Sequence, residues 1–333
     1  FYATGYATAQ DRLWQMTMIK MAASGRLAEI LGRDLVPLDR YLRAVGLARY
    51  ARQSYQRMAP KEKRILQRFA EGGNACVRSH KLPIEFVLAG FDPEPWKPED
   101  CMIAFAMANY QLAANLREEL SFLKVASRIG PTKAALLYPI YPDEPLPIDL
   151  ASKLSVIDPG RLDRRNSRQL SKTASGLLDI QQSLVSLIEP GRAGDPETVP
   201  ASNNWALAGS RTKGGKSIVA NDTHLGISLP SFWDIMHLKA PGYEAAGVMI
   251  PGVPIVGLGF NGHIAWGATM MMADSQDLFL EKLRTKDGRQ EYLYKGRWLP
   301  VKTRTETIAI KGAAKPENFT IQFTKHGPLL NDA

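Results

Sequence analysis

The sequence predicts an α+β fold, with a helical first part followed by a part that is rich in antiparallel strands. Apolar residues recur at helical spacing as far as about residue 129, whereas short apolar runs bounded by Gly, Pro and Asn follow residue 202. The composition is that of a globular protein, because 45% of the residues are hydrophobic and 23% are charged. These values exclude disordered, collagenous and coiled-coil chains.

The helical part contains segments in which apolar side chains share one face. Near the start, Leu13 and Met21 follow helical spacing, and Gly32 provides a stop signal. A rigid connector, Pro93–Pro98, precedes an acidic pair that suits the first turn of a helix. The predicted helices are Gln10–Leu31, Lys61–Val77, Glu99–Leu112 and Glu119–Ile129.

A change in composition after the last of these helices indicates a linker. Residues 131–158 are rich in proline, and residues 159–201 carry an arginine cluster and a Pro- and Gly-rich end. One stretch within the second range, Leu177–Ile188, has the pattern of a short helix. We therefore predict a linker over residues 159–201 that contains one helical segment.

From residue 202 onward, the apolar runs are short and alternate with turn residues, as in antiparallel sheets. The longest apolar stretch, Ala245–Phe260, is interrupted by prolines and glycine, so it is unsuited to crossing a membrane. The predicted strands are Trp205–Ala208, Ile218–Ala220, Trp233–Leu238, Tyr243–Ile250, His263–Thr269, Leu278–Leu283, Glu291–Tyr294, Thr305–Ile310 and Phe319–Phe323.

Two features that suggest nucleotide or nucleic-acid binding are weak. The chain has 42 Lys and Arg against 33 Asp and Glu, a net charge of +9, but the positive residues are scattered and no nucleic-acid-binding module is recognised. The stretch Gly209–Ser217 resembles a phosphate-binding loop, yet its spacing is too long and a strand rather than a helix follows. A β-hairpin turn is the better interpretation of this stretch.

Cysteine and histidine provide no metal motif. The two cysteines cannot form a disulfide framework, and none of the five histidines has the spacing of a zinc ligand pair. These counts do not exclude a serine–histidine–aspartate triad, although the nucleophile motif G-x-S-x-G is absent from the sequence.

Ser202 stands where the linker meets the first strand. A serine in a polar junction is usually a turn residue, so its significance depends on the motifs around it. The accompanying motifs are, in order, Gly5–Met16, Ser24–Glu29, Leu82–Phe86, Pro93–Asp100, Asn115–Leu120, Ser202–Trp205, Ala220–Leu225, Pro251–Pro254, Asn261–Gly267 and His326–Pro328. With these motifs in this order, the sequence resembles the penicillin acylase family of N-terminal nucleophile hydrolases, which includes cephalosporin and acyl-homoserine-lactone acylases.

The resemblance implies a four-layer αββα sandwich built from two subunits of one precursor. Residues 1–158 resemble the α-subunit, residues 159–201 the spacer peptide, and residues 202–333 the N-terminal part of the β-subunit. The expected product of self-cleavage is an α/β heterodimer. On this resemblance, the chain is expected to be truncated at its C-terminus.

The resemblance also implies the chemistry of the nucleophile. Cleavage between Ala201 and Ser202 would free the α-amine of Ser202. A serine hydroxyl needs a base to become a good nucleophile, and an α-amine with a pKa of about 8 is partly neutral at physiological pH. Ser202 is thus expected to attack the peptide bond before it first, and an amide substrate afterwards.

Two further residues are assigned to catalysis by the resemblance. The backbone N–H of Met270 is expected to donate to the oxyanion, and the second donor in the family is an asparagine that would lie beyond Ala333. His224 matches a position that organises the nucleophile. The alternative for His224, a polar turn residue, stays open.

A structural calcium ion is a further implication of the resemblance. Asp274, Asp277 and the backbone carbonyl of Gln276 match the calcium loop of the family. Glu119 is the expected partner from the α-subunit. Carboxylate and carbonyl oxygens suit a hard cation. A solvated acidic turn is the alternative, and no organic cofactor is expected.

The acyl pocket is also inferred from the resemblance. Its lining is mostly apolar, which suits an aliphatic or aromatic acyl group. Gln111 is polar where well-known penicillin G acylases have an aromatic residue, and Phe260 replaces a common histidine. The expected lining residues are Met107, Tyr110, Gln111, Leu225, Leu258 and Ala268.

The resulting hypothesis is an acylase that cleaves the acyl side chain from a small-molecule amide of the β-lactam type or a related amide. Two alternatives stay open: an acyl-homoserine-lactone acylase with the same mechanism, and a catalytically silent precursor or fragment with a structural or binding role. The resemblance also implies a periplasmic or secreted location. Neither a nucleic-acid partner nor a membrane span is expected.

Overall fold

The structure, a computed structural model, describes residues 1–113, 115–130, 133–134, 137, 164–188, 201–271 and 275–331. Contacts between residues divide the chain into two compact units. The larger unit comprises Phe1–Leu112, Val185–Met271 and Leu283–Ala333, and the smaller unit comprises Ala113–Leu184 and Met272–Lys282. Helices and antiparallel strands are both abundant, so the predicted α+β class is confirmed. Among the described residues, no helix has the length and apolar character needed to cross a membrane.

Helices dominate the chain as far as residue 130 and fill one segment of the predicted linker. The predicted helices that begin near Lys61, Glu99 and Glu119 are present, with ends that differ by a few residues. The helices are α1 (Tyr2–Ala23), α2 (Ala28–Leu31), α3 (Val36–Val45), α4 (Leu47–Arg57), α5 (Pro60–Ser79), α6 (Ile84–Ala89), α7 (Pro98–Leu112), α8 (Asn115–Ile129) and α9 (Arg164–Ile188).

The first predicted helix, Gln10–Leu31, is wrong in its bounds, because a tight turn separates α1 from α2. Gly25 in this turn has a φ of 60°, a left-handed conformation that glycine adopts without strain. The carboxylate of Asp39 accepts hydrogen bonds from the N–H groups of Leu27 (2.8 Å) and Ala28 (2.7 Å). A side chain from α3 therefore satisfies the first N–H groups of α2 and stabilises the break.

Helices α1 and α5 pack with their backbones in contact. A Cβ atom on Gly5 would lie 2.0 Å from the carbonyl oxygen of Phe69. A Cβ atom on Gly72 would lie 1.9 Å from the carbonyl oxygen of Tyr2, so only glycine fits at both positions. Large side chains of α1, α5 and α7 that are fully buried include Met16, Met21, Phe69, Ile103 and Met107.

The strands form antiparallel sheets, in which β1 pairs with β2, β3 to β6 follow in order, β7 to β9 follow in order, and β10 pairs with β11. The strands are β1 (Ala201–Leu207), β2 (Ile218–His224), β3 (Asp234–Ala240), β4 (Tyr243–Met249), β5 (Leu258–Phe260), β6 (Ala265–Trp266), β7 (Leu283–Lys286), β8 (Arg289–Tyr294), β9 (Arg297–Pro300), β10 (Lys302–Ile308) and β11 (Glu317–Phe323).

The structure also differs from the sequence prediction in other places: α3, α4, α6, β5 and β9 were not predicted, and the predicted strand His263–Thr269 shortens to β6. The linker helix α9 begins at Arg164, well before the predicted start at Leu177. The segment Leu278–Leu283 was predicted to be a strand, and this is wrong, because strand pairing begins only with β7. The N–H of Leu278 instead donates to Oε2 of Glu119 at 2.7 Å. A side chain has taken the place of a neighbouring strand as hydrogen-bond acceptor.

Strand β10 packs against α2 and α3 within the larger unit. Arg43 of α3 donates from Nη1 to the carbonyl oxygen of Thr307 at 2.8 Å and lies 3.2 Å from Oε2 of Glu306. Apolar contact accompanies these polar ones. The buried cluster comprises Ala28, Val36, Ile308 and Ile310. Helices and strands of the larger unit therefore share apolar surface as well as hydrogen bonds.

Candidate active site

Ser202 is placed by the β1–β2 hairpin. It is the second residue of β1, and its Cα atom pairs with that of Thr223 in β2. The stretch Gly209–Ser217 connects the two strands through a short 3-10 turn, so its interpretation as a hairpin turn is confirmed. Of the seven residues of β1, only Ser202 is half-buried and the other six are exposed.

The hydroxyl of Ser202 lies against the peptide bond that precedes it. Oγ of Ser202 donates a hydrogen bond to the carbonyl oxygen of Ala201 at 2.6 Å. In the continuous chain the nitrogen of Ser202 is a peptide nitrogen, which has no basic lone pair. This arrangement brings a nucleophile next to one particular carbonyl group, and that carbonyl belongs to the predicted cleavage site.

The structure does not bring the imidazole of His224 to the Ser202 hydroxyl. Residues directly opposite each other in an antiparallel pair share a face, and faces alternate along a strand. Ser202 therefore shares a face with Thr223, whereas His224 shares the other face with Ala201. Nε2 of His224 lies 3.1 Å from Oδ2 of Asp222, on that same second face. The role expected of His224 stays a prediction.

Asn221 joins the nucleophile strand to the segment that follows β6. Its Nδ2 donates to the carbonyl oxygens of Asn203 and Ala268, both at 3.1 Å. Its Oδ1 accepts from the N–H of Ala268 at 2.7 Å. Sequence reasoning placed Asn221 in a motif but gave it no role. The sequence offered no signal for this role, because the predicted strand ended at Ala220, one residue before Asn221, and only the structure extends β2 to His224.

Thr223 and Trp233 are further neighbours of the nucleophile that sequence reasoning missed. Thr223 is opposite Ser202, and its Oγ1 accepts a hydrogen bond from Nε1 of Trp233 at 2.8 Å. Trp233 also packs edge-on against Phe232, with ring centroids 4.8 Å apart. The indole thus holds the strand position opposite the serine. No sequence pattern indicated this contact.

Met270, the expected oxyanion donor, lies in the unpaired segment after β6 and is half-buried. Ala268, an expected pocket residue, lies in the same segment and is exposed. The Asn221 bridge fixes the backbone of Ala268, two residues before Met270. The structure therefore brings one predicted pocket residue and its neighbouring segment to the strand pair that carries Ser202.

The other expected pocket residues lie at the end of α7 and beside β2 and β5. Met107 is fully buried, and the hydroxyl of Tyr110 forms a short hydrogen bond with that of Tyr41. Gln111 is half-buried near the end of α7. The remaining two, Leu225 directly after β2 and Leu258 at the start of β5, are also half-buried.

The predicted calcium loop falls within the smaller unit. Asn115 of α8 organises it: Oδ1 accepts from the N–H groups of Ser275 and Gln276, each at 3.2 Å, and Nδ2 donates to the carbonyl oxygen of Gln276 at 2.5 Å. Glu119, one turn further along α8, accepts from the N–H of Leu278. Glu119 and Gln276 are thus brought to one loop.

The fit of a cation to this loop is partial. Oε1 of Gln276 is buried and has no hydrogen-bond partner among the described residues. A buried oxygen of this kind could be satisfied by a cation. Asp277 is exposed, and Asp274 lies outside the described residues. Within the described part of the chain, no three acidic, histidine or cysteine side chains gather as a metal site. The calcium ligand set stays a prediction.

Neither cysteine competes with Ser202 as a nucleophile. Cys101 is buried, and this burial raises the pKa of its thiol to about 12. Its Sγ accepts a hydrogen bond from Nε1 of Trp96 at 3.4 Å. Burial also raises the pKa of the Cys76 thiol. Because the thiolate is the reactive form, both side chains are inert at neutral pH.

Comparison with known proteins agrees with the resemblance seen in the sequence. The family model described as penicillin amidase matches residues 1–333. An acyl-homoserine lactone acylase, QuiP of Pseudomonas aeruginosa, is 43% identical over 334 residues that cover 100% of this chain and 38% of that protein.

Two relatives named as penicillin acylases are more distant. The penicillin acylase 2 proenzyme of Pseudomonas sp. strain SE83 is 29% identical, with 99% of this chain and 41% of that protein covered. The penicillin G acylase of Escherichia coli is 27% identical, with 99% and 43% covered. The chain spans about two fifths of the length of these curated relatives. From the match along its whole length, the chain belongs to the penicillin amidase family.

Proposed function

We propose that the complete protein is an acylase, an amidohydrolase that transfers the acyl group of a small-molecule amide to Ser202 and then to water. Membership of the penicillin amidase family supports this proposal. The structural observation that carries it is the Ser202 hydroxyl, which lies 2.6 Å from the carbonyl oxygen of Ala201 at the end of the linker. A serine placed in this way can free its own α-amine and become an N-terminal nucleophile.

The proposed maturation is an acyl shift followed by hydrolysis. Oγ of Ser202 attacks the carbonyl carbon of Ala201, the C–N bond breaks, and the hydroxyl proton passes to the departing nitrogen. Water then hydrolyses the ester, which leaves a carboxylate on Ala201 and a free amine on Ser202. The expected products are α- and β-subunits that together form a heterodimer, with much of residues 159–201 removed as a spacer.

The same groups would act on the substrate. The α-amine of Ser202 has an ordinary pKa of about 8, so its neutral fraction can accept the hydroxyl proton. The oxyanion that forms on the substrate would be stabilised by the N–H of Met270 and by a second donor beyond Ala333. The α+β architecture is compatible with the four-layer sandwich of the family, which we propose for the complete protein.

Two further properties are proposed from the family resemblance. A calcium ion would bind the loop of the smaller unit through Glu119, Asp274, Asp277 and the backbone carbonyl of Gln276, with a structural role. The unpartnered buried Oε1 of Gln276 supports it. Export to the periplasm or out of the cell is the second proposed property.

Among amide substrates, acyl-homoserine lactones are the favoured candidate, and β-lactams are the second. The relative named as a lactone acylase is 43% identical to the chain, against 29% and 27% for the two named as penicillin acylases. A panel of homoserine lactones with increasing acyl length, run beside phenylacetyl amides, distinguishes the two. Turnover of phenylacetyl amides alone would contradict the preference.

Replacement of the nucleophile tests the proposed mechanism. The complete wild-type protein is expected to separate before Ser202, as measured by intact mass, and to hydrolyse an amide. Ser202→Ala should remain one chain without activity. Ser210→Ala, which alters an exposed serine in the hairpin connection, should behave as wild type. A wild-type protein that stayed one chain and still hydrolysed substrate would contradict the N-terminal nucleophile mechanism. An inert wild-type protein would favour the silent alternative.

A further inference from the structure

We infer that Asn221 is a positioning residue that holds the Gly267–Met270 segment against the strand carrying Ser202; this inference rests on the proposed function. The carboxamide of Asn221 makes three hydrogen bonds to main-chain atoms. Two of them engage both the N–H (2.7 Å) and the carbonyl oxygen (3.1 Å) of Ala268. The third engages the carbonyl oxygen of Asn203, next to the nucleophile, at 3.1 Å.

The strand register places this bridge on the face of the nucleophile. Asn221 pairs with Asn204, and Thr223 pairs with Ser202. Because faces alternate along each strand, these four side chains share one face of the hairpin. Asn221 lies two residues from Thr223, roughly 7 Å along the strand. The backbone of Ala268 is therefore held on the side of the hairpin where the Ser202 hydroxyl lies.

The Asn221 side chain does not itself contact the proposed oxyanion. Its effect on the reaction would be transmitted through the backbone. Ala268 is two residues before Met270, whose N–H is the proposed oxyanion donor. A donor stabilises the oxyanion only when its hydrogen points at the oxygen at hydrogen-bond distance. With both the N–H and the C=O of Ala268 engaged by one planar carboxamide, the peptide planes around it cannot rotate independently of β2. Asn221 thus restrains the two peptide planes directly before the Thr269–Met270 peptide, which carries the proposed donor, and ties them to the strand pair of Ser202.

Gly267 is required for the same contact. A Cβ atom at this position would lie 2.6 Å from Oδ1 and 3.0 Å from Cγ of Asn221. The φ of Gly267 is not in the left-handed region, so the backbone itself would accept an alanine. The carboxamide of Asn221 occupies the space that a side chain at position 267 would need. A methyl group at Gly267 is therefore expected to displace Asn221 from Ala268.

Substitution of Asn221 in the complete protein tests the inference. Asn221→Ala should lower kcat for amide hydrolysis by about 100-fold while KM changes by less than about threefold, since donor orientation matters most in the transition state. Asn221→Asp keeps the acceptor for the Ala268 N–H but sets a carboxylate oxygen against the carbonyl oxygens of Asn203 and Ala268, so its kcat should fall at least as far. Rates are expressed per cleaved molecule, quantified by intact mass, and self-cleavage of the precursor should slow in the same order.

Asn318→Ala is the matched control. Its carboxamide accepts a side-chain hydrogen bond from Thr307 at 2.7 Å on the exposed β10–β11 hairpin. The variant loses an asparagine carboxamide and one hydrogen bond, and no hydrogen bond in the described part of the chain joins Asn318 to the β1–β2 hairpin. It should keep the kcat and the self-cleavage rate of the wild type.

A double-mutant cycle provides the sharpest readout. Gly267→Ala alone should lower kcat by about the same factor as Asn221→Ala, because both changes break the bond to Ala268. In the Asn221→Ala background, the carboxamide is gone and only Cβ of residue 221, 3.1 Å away, stays near the added methyl group, so Gly267→Ala should cost little further. The two losses should therefore be strongly non-additive. Gly267→Ala also keeps the test decisive if Asn221→Ala does not fold.

The outcomes separate this inference from the proposed function. A wild-type protein that neither cleaves itself nor hydrolyses an amide overturns the proposed function. A wild-type protein that does both, beside an Asn221→Ala variant with kcat within about threefold of it, overturns only the positioning role. Additive losses in the cycle would likewise overturn it, since they would mean that Gly267 and Asn221 act separately.

Discussion

The helices of the larger unit and the exposed faces of its strands are held by different interactions. In the helices, Phe69 is 0% exposed and Tyr41 is 1% exposed, as expected for a closed apolar core. On the exposed faces of the strands, Trp205 is 57% exposed and Ile235 is 80% exposed, whereas the inward-facing Met249 and Ile308 are 0% exposed. Strand β1, which carries Ser202, has no fully buried residue. Its order comes from the main-chain ladder with β2 and from the side chain of Asn221.

This difference indicates where each region is sensitive to substitution. Loss of apolar volume should affect the helices strongly, because a buried cavity cannot be refilled by water at low cost. Loss of a hydrogen bond on an exposed hairpin is partly compensated by water. On the exposed strand faces, single polar side chains should therefore matter for geometry and catalysis more than for stability.

Phe69→Ala should produce the largest loss of stability. Phe69 lies on α5 at its contact with α1 and is 0% exposed. Truncation should lower the free energy of unfolding by about 3–5 kcal/mol. The matched change in the strands, Ile235→Ala at an 80% exposed position, should cost no more than about 0.5 kcal/mol. Chemical denaturation of the complete protein measures both. Equal losses would remove the contrast between the two regions.

Removal of the Asp39 carboxylate should change the pH dependence of stability. Burial is the main cause that raises the pKa of Asp39 to about 6, and the nearby charge of Glu29 raises it further. The N–H groups of Leu27 and Ala28 and the charge of Arg43 lower this pKa, but by less. The folded state therefore holds the proton more tightly than the unfolded state, whose pKa is near the ordinary 3.8. Stability due to Asp39 is fully present below about pH 4 and is lost as the pH rises to about 6.

The measurement compares wild type with Asp39→Asn between pH 3 and pH 8. The difference in unfolding free energy should change by roughly 3 kcal/mol across the window from pH 4 to pH 6 and stay constant above it. The direction is the test: wild type should lose stability relative to Asp39→Asn as the pH rises. A difference that does not vary with pH, or that grows in favour of wild type, would contradict the raised pKa.

Arg284→Ala should have the smallest effect. Arg284 of β7 forms an ion pair with Glu291 of β8 at 2.6 Å and lies over the ring of Trp298, 4.1 Å from its centroid. The pair is on an exposed hairpin, so its loss should cost at most about 1 kcal/mol and less at high salt. Thermal unfolding at two salt concentrations measures this. A loss as large as that of Phe69→Ala would show that the strands depend on side-chain contacts as strongly as the helices.

Most of the helices and strands could be predicted, because their periodic patterns involve near neighbours in the chain. The break after α1 could not, since it depends on Asp39, a side chain from another helix that satisfies the N–H groups of Leu27 and Ala28. The false strand at Leu278 has a similar cause, because its N–H is taken by Glu119. In both places a distant polar side chain outcompetes the local pattern.

The candidate site divides in the same way. Ser202 and its position at the linker boundary could be read from the sequence through the family motifs. The bridge from Asn221 to Ala268 could not, because it joins residues that are 47 positions apart. For His224 the sequence suggested contact with the nucleophile, whereas the strand register places its imidazole on the opposite face. A side chain one residue further along a strand points to the opposite face of the sheet. A sequence motif does not show which residues of two paired strands share a face.

By itself, the sequence indicated the general order of helices and strands, the position of the predicted nucleophile and the family to which the chain belongs. These features depend on residue types and spacing along the chain. Only the tertiary structure decided which polar groups meet: Asp39 with the start of α2, and Asn221 with Ala268. Such pairs form because a polar group removed from water must find a partner in space. The partner is selected by the packing of distant segments, which local patterns do not encode.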